Sequence, residues 1–249
     1  MALQEEVLHA NPNKMIRINV GNDEFSRYAI QTHFITAGED LFANVEKYVI
    51  PRAQAGDILS LGEKVVSLCQ GDVIYKKDLH LTPLARILSH FAYKNPRGPA
   101  MDNVYKMQAA INTAGSLRVL LGAILSALTK PFGVRGVFYN VVGHGARNID
   151  GFCVVGFDYY ADKGILAPSH PDETCTALKD RFGIDCMIVD ANDISVQILG
   201  TNKEIPFSRE KLAKIIRDNP AGQGRQQTPF ILIRREQIAG YPSGWPLLS

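Results

Sequence analysis

Asp190, Asn192 and Asp193 fall within four positions, Asp-Ala-Asn-Asp, between an apolar run ending at Val189 and another that resumes at Ile194. Carboxylates seldom enter an apolar interior alone. A cluster at the junction of two buried strands therefore faces a cation, a donor network or solvent. Hard cations such as magnesium take oxygen ligands, commonly one or two protein carboxylates with phosphate and water oxygens completing the set. Asp150, forty positions upstream in a glycine-rich stretch, joins Asp190 and Asp193 as a candidate metal set. The alternative is a turn, because Asp and Asn side chains bond readily to nearby backbone.

Two glycine-rich loops offer further chemistry. Gly143 to Gly151 carries His144, Arg147 and Asp150 on a backbone that can approach a ligand closely, or that simply links two strands. Gly222-Gln223-Gly224 could present backbone N–H groups to a phosphate in an anion-binding concavity. No Gly-Lys-Ser/Thr phosphate loop and no Gly-x-Gly-x-x-Gly pattern occurs, so a nucleotide would bind outside both frameworks.

The elements that must position these groups follow from periodicity and punctuation. Strands are expected at Met15 to Val20 and Tyr28 to Ile35, and a short amphipathic helix at Leu41 to Tyr48, ended by Pro51. Gly56-Asp57 opens a strand that closes at Glu63-Lys64, followed by a second apolar run and Gly71. Thr82-Pro83 opens a helix to Phe91, with threonine as cap and proline in the first turn. Val104 to Leu128 reads as helical with a weak point near Thr113 to Ser116. Its longest apolar stretch, Val119 to Leu128, is about half of the roughly 20 residues a spanning helix needs, and is expected to be a buried helix rich in small residues. Gly133 to Val142 returns to β character, and Phe152 to Phe157 is a further strand. Thr174 to Phe182 is a helix capped by Gly183, Asp185 to Val189 and Ser195 to Leu199 are strands around the acidic cluster, Arg209 to Arg217 is a helix and Phe230 to Arg234 a strand. The expectation is an α/β (α+β) fold of mixed sheets with flanking helices, a single domain over 1–249 with 1–14 a loose leader.

Composition narrows the partners. The 27 basic and 25 acidic side chains nearly cancel, which gives no general nucleic-acid or membrane-surface footprint. The four cysteines, Cys69, Cys153, Cys175 and Cys186, lie far apart with no Cys-x-x-Cys pair, as expected of reduced, mostly buried thiols. Met-Ala-Leu-Gln-Glu-Glu carries neither a basic start nor an apolar signal core, so a cytoplasmic location is expected.

The run Gly56 to Gly71, with Glu63-Lys64-Val65-Val66-Ser67, resembles the signature of the coenzyme F420 gamma-glutamyl ligase family. Ile35-Thr-Ala-Gly38-Glu39-Asp40-Leu41 is similar to that family's Ile-x-x-Gly-Asp-Asp-Leu. Gly222-Gln223-Gly224 followed by Thr228-Pro229 and an apolar strand ending in Arg234 resembles its nucleotide-contacting segment. The likeness covers residues 28 to 75 and 218 to 235. The family's Asp-x-Ser-Asn and Ser-Asp-Thr motifs are absent in between, and Asp150 and the Asp190 cluster are the nearest equivalents; a competing alignment uses Asp102-Asn103-Val104. The resemblance implies a GTP-dependent ligase that activates a carboxylate as an acyl phosphate for attack by L-glutamate, in an intertwined homodimer. It implies Mg2+ or Mn2+, with K+ as a further ion, held by Asp150, Asp190 and Asp193. Lys64 and Asp190 would be catalytic, with Ser60, Lys64, Asn103, Gly222, Gln223, Gly224 and Thr228 at the nucleotide.

Overall fold

The structure, a computed structural model, describes residues 8–92, 101–134, 136–147, 149–153, 157–192, 195–222 and 224–236. In chain order it contains β1 (Arg17–Val20), β2 (Asp23–Ile30), α1 (Leu41–Tyr48), β3 (Ile58–Gly62), α2 (Glu63–Gln70), β4 (Val73–Tyr75), α3 (Pro83–Phe91), α4 (Val104–Ala114) and α5 (Ser116–Thr129). There follow α6 (Val137–Val142), α7 (His144–Arg147), β5 (Asp150–Gly151), β6 (Lys163–Ile165), α8 (Pro171–Phe182), β7 (Asp185–Ala191), β8 (Val196–Thr201), α9 (Arg209–Ile215) and β9 (Phe230–Arg235). The chain divides into two compact units, residues 1–66 with 170–249, and residues 67–169.

The first unit is built on a six-stranded mixed sheet in the order β1-β2-β9-β3-β7-β8. β3 and β7 run parallel and every other pair is antiparallel. Ile58, Leu59 and Leu61 are all buried, the near-continuous apolar pattern of a central strand covered on both faces. β1 instead alternates, burying Ile18 and Val20. One face packs Phe25, Met187, Val189 and Ile231 against Leu212, Ile215 and Ile216 at α9, while α8 packs on β7 and β8. Side chains start the helices: Asp40 accepts from the Phe42 and Ala43 N–H groups at α1, and Ser208 from the Lys211 N–H at α9.

The leader is not loose where it is described. The Ala29 N–H donates to the His9 carbonyl, and buried Asn11 reaches Pro220 and Thr228. Polar residues broken by Pro12 read as a tail only while their long-range partners are unseen.

The second unit gathers α3 to α7 around Met107, Ala110, Val119, Val142 and Phe152, beside a three-stranded sheet β4-β6-β5. Thr82 caps α3 as its sequence predicts. The expected weak point after Thr113 is a complete break at Gly115, whose φ of 88° is a conformation natural to glycine. Of the expected strand from Gly133 to Val142, Val137–Val142 is instead helix α6. Tertiary packing overrides the β propensity of Val137-Phe-Tyr and Val141-Val. Gly122 of α5 lies so close that a Cβ there would stand 3.0 Å from Val142 and 3.3 Å from the Phe138 carbonyl. The expected strand at Phe152 to Phe157 lies partly outside the described residues, and Phe152 itself is in a bend. Nor is α5 a buried helix: Leu117, Leu121, Ile124 and Leu128 are exposed. Among the described residues no single helix is long and apolar enough to cross a membrane.

Candidate functional site

Because β3 and β7 are parallel neighbours, their carboxyl ends share one edge of the sheet. Ligands of open α/β sheets bind outside that edge. Gly62 pairs with Val189, so Glu63-Lys64 and Asp190 each follow directly on this last pair. β9 enters at the same edge from the opposite direction: Leu61 pairs with Phe230, and the Gly62 N–H donates to the Pro229 carbonyl at 2.9 Å. Pro229 is therefore bonded to the residue that immediately precedes Glu63-Lys64. Three segments far apart in sequence meet here.

Lys64 occupies the first turn of α2, where a fixed cation adds to the positive end of the helix dipole. Glu63, in the same turn, offsets the lysine's charge and leaves the dipole's positive end. Asp190 is half-buried near the end of β7, paired with Gln197 across the hairpin. Beyond it the Asn192 N–H donates to the Ser195 carbonyl at 2.9 Å, and Asn192 Oδ1 accepts from the Ser195 N–H at 3.0 Å. Asp193 lies outside the described residues.

The loop 218–228 is held from three sides. Asn11 Nδ2 donates to the Pro220 carbonyl at 2.8 Å and to Thr228 Oγ1 at 2.7 Å, and Thr228 Oγ1 donates to the Ala221 carbonyl at 3.0 Å. Lys14 Nζ donates to the Asp218 carbonyl at 2.6 Å. The Arg27 guanidinium, fully buried, meets both Asp218 carboxylate oxygens and the carbonyls of Met15 and Ile215. Burial pushes the Asp218 carboxyl up, but the hydrogen bond and charge of Arg27 outweigh it and hold the group below the usual carboxylate range.

Gly222 has φ 74°, and its N–H donates to the Asn219 carbonyl at 2.9 Å. That N–H is turned into the loop, contrary to the expectation that it faces a phosphate. Gly222 and Gly224 accommodate the Gln226 carboxamide, which would stand 3.1 Å and 2.9 Å from a Cβ at the two positions. Gln223 lies outside the described residues.

Three further sequence-predicted residues are described within their own units. Ser60 is buried in mid-strand between Met187 and Ile231, the placement of a core residue. Asn103 belongs to the second unit and caps α4, its Oδ1 accepting from the Tyr105 and Lys106 N–H groups while Nδ2 donates to the Phe152 carbonyl at 3.0 Å. Asp150, in the same unit, opens β5 and accepts from the Gly151 N–H at 2.7 Å. Among the described residues no three His, Cys, Asp or Glu side chains gather where they could hold a metal ion. Of the expected three-carboxylate set, Asp150 and Asp190 fall in different compact units and Asp193 lies outside the described residues.

Sequence reasoning missed Asn11, Arg27, Asp218 and Gln226. Each acts through partners some two hundred positions away or through the shape of a glycine loop, and neither leaves a local pattern. Asp57 and Arg234 were legible only as a motif's ends; they form a bidentate pair at 2.9 and 2.7 Å that ties the start of β3 to β9. Its hydrogen bond raises the Arg234 pKa above the ordinary guanidinium value.

The chain matches no family model and no curated protein.

Proposed function

We propose that the β3–β7–β9 edge binds a nucleoside triphosphate, GTP on the resemblance, and that the protein is a ligase joining the amine of L-glutamate to a carboxylic acid. The observation that carries this reading is the register: β3 and β7 end together just before Glu63-Lys64 and Asp190, and Gly62 bonds Pro229 at the same edge. Two of these segments are those that resemble the gamma-glutamyl ligases.

In the proposed reaction a carboxylate oxygen of the acceptor attacks the γ-phosphorus, and the bond to the β,γ-bridging oxygen breaks to release GDP. The glutamate nitrogen then attacks the acyl carbon of the mixed anhydride. The C–O bond breaks, inorganic phosphate leaves with its electron pair, and the amine proton passes to solvent. Phosphoryl transfer depends on positioning and on compensating charge on the phosphate oxygens. Lys64 and the N-terminus of α2 supply positive charge, and Asp190 offers a carboxylate to the cationic end of the amine substrate. No step is assigned to a metal; Mg2+ or Mn2+, with Asp190 and Asp193 as candidate oxygen ligands, would add charge compensation at the phosphates. Ordering both reactants at one edge lowers the barrier by several kcal/mol, on the order of known proximity effects.

The missing Asp-x-Ser-Asn and Ser-Asp-Thr motifs favour an acid other than the family's deazaflavin as acceptor. Incubating the protein with GTP, Mg2+ or Mn2+, glutamate and a panel of carboxylic acids is expected to release GDP only when acid and amine are both present. GDP release that is absent throughout, or that ignores the acid, would reject the ligase reading.

A further inference from the structure

We propose that α5 docks the protein in the plane of an anionic lipid surface. Leu117, Leu120, Leu121, Ile124, Leu128 and Phe132 are exposed, Leu117 to 80% and Phe132 to 84%. At about 100° per residue, the five on α5 form one stripe roughly 100° wide. Val119 and Gly122, both buried, lie on the opposite side and fix the helix to its own unit. An apolar stripe of this length on the outside of a folded unit needs an occupant.

The charge pattern names it. From Leu79 to Ile149 the chain carries eight Lys and Arg and a single acid, Asp102, a net of +7; elsewhere 19 basic face 24 acidic side chains, a net of −5. The overall +2 conceals this segregation. Arg118 and Lys130 are exposed on α5 and at its end, and Arg86 is exposed on α3, which touches α5. Cations flanking an apolar stripe suit phosphate headgroups above acyl chains. A second copy would set +7 against +7. The proposed placement is in the plane of the surface: α4 and α5 meet at 118°, and no single described helix is long and apolar enough to span.

The test is flotation of the full chain with vesicles of phosphatidylcholine alone or with about 30% phosphatidylglycerol, an anionic composition in the range where polybasic segments bind. The protein is expected to float with the anionic vesicles, at least about tenfold less with neutral ones, and to be released by high salt. Leu117→Gln/Ile124→Gln/Leu128→Gln is expected to float at least about tenfold less with an unchanged melting curve, the stripe being already exposed. Phe132→Trp, placed in a Trp245→Phe background so that it carries the only indole, checks insertion without removing the stripe. Its emission is expected to shift to the blue with anionic vesicles only. Failure to float, equal flotation of the triple variant, or an unshifted emission from the Phe132→Trp protein overturns the proposal. So does a lipid-free dimer that the triple variant converts to monomer, which would assign the face to a second copy.

Discussion

Asp218→Asn removes the charge opposite a guanidinium that has nowhere else to go. Arg27 is fully buried and Asp218 is 29% exposed. Asn keeps one acceptor, so the bond from one Arg27 nitrogen survives while the other faces an NH2 group. A charge-assisted hydrogen bond contributes about 1.5–3 kcal/mol. Stranding a buried charge costs about 3–5 kcal/mol. Water reaching Asp218 moderates this, so about 2–3 kcal/mol is expected, with a melting temperature lower by about 5–10 °C at pH 7. The sign of the pH dependence follows from linkage: a carboxyl held below its ordinary value of 3.8 stabilises the fold above that pH and stops doing so as pH falls through its folded-state value. The deficit of the variant therefore shrinks in acid. Thermal melts of the wild type, Asp218→Asn, Arg27→Met and the double variant measure it, and the double variant is expected to lose less than the two single losses summed. A variant melting within about 1 °C of wild type at pH 7 would refute the claim that this pair anchors the loop, since the anticipated loss is several times larger.

Other outcomes follow from the same contacts. Gly222→Ala forces a left-handed conformation on a side-chain-bearing residue and presses a Cβ toward Gln226, so it is expected to cost about 1–2 kcal/mol in chemical denaturation and to weaken GTP binding. Glu39 accepts from the Thr36 N–H and hydroxyl, His33 and Asn44; burial raises its pKa, these bonds lower it, and the balance sets it at about 2. Glu39→Gln is expected to lose about 1–2 kcal/mol at neutral pH after discounting for solvent screening, a deficit present above about pH 4.5 and vanishing as pH falls toward 2. Urea unfolding at stepped pH checks this, a pH-independent deficit being the contrary result.

The sequence made the strands legible where burial dictates composition. Ile58, Leu59, Leu61 and Cys186 to Val189 are apolar because both faces are covered, and Leu41 to Tyr48 is capped by a residue whose type announces it. Glu63-Lys64 and Thr228-Pro229 were singled out from local resemblance, and a Gly62–Pro229 backbone bond joins their neighbourhoods. What stayed hidden depends on distant contacts: the docking of Asn11, the helical state of Val137 to Val142 against Gly122, and the role of Asn103 as a cap. α5 misled for another reason. Apolarity alone does not say whether a helix faces a core or the outside, and in this unit the core takes only its Val119 and Gly122 face. The metal set drew Asp150 and Asp190 together on a spacing of forty positions, but that spacing carries no geometry; the two belong to different units.

The most direct measurement is the affinity for GTP, with Mg2+ present, of the wild type and of Lys64→Met, both checked for an unchanged melting temperature without nucleotide. The site proposed at the β3–β7–β9 edge predicts saturable binding that Lys64→Met weakens at least about tenfold, the loss of one phosphate-contacting charge being about 1.4 kcal/mol or more. Binding of equal strength in both proteins, or no binding by the wild type, would contradict it.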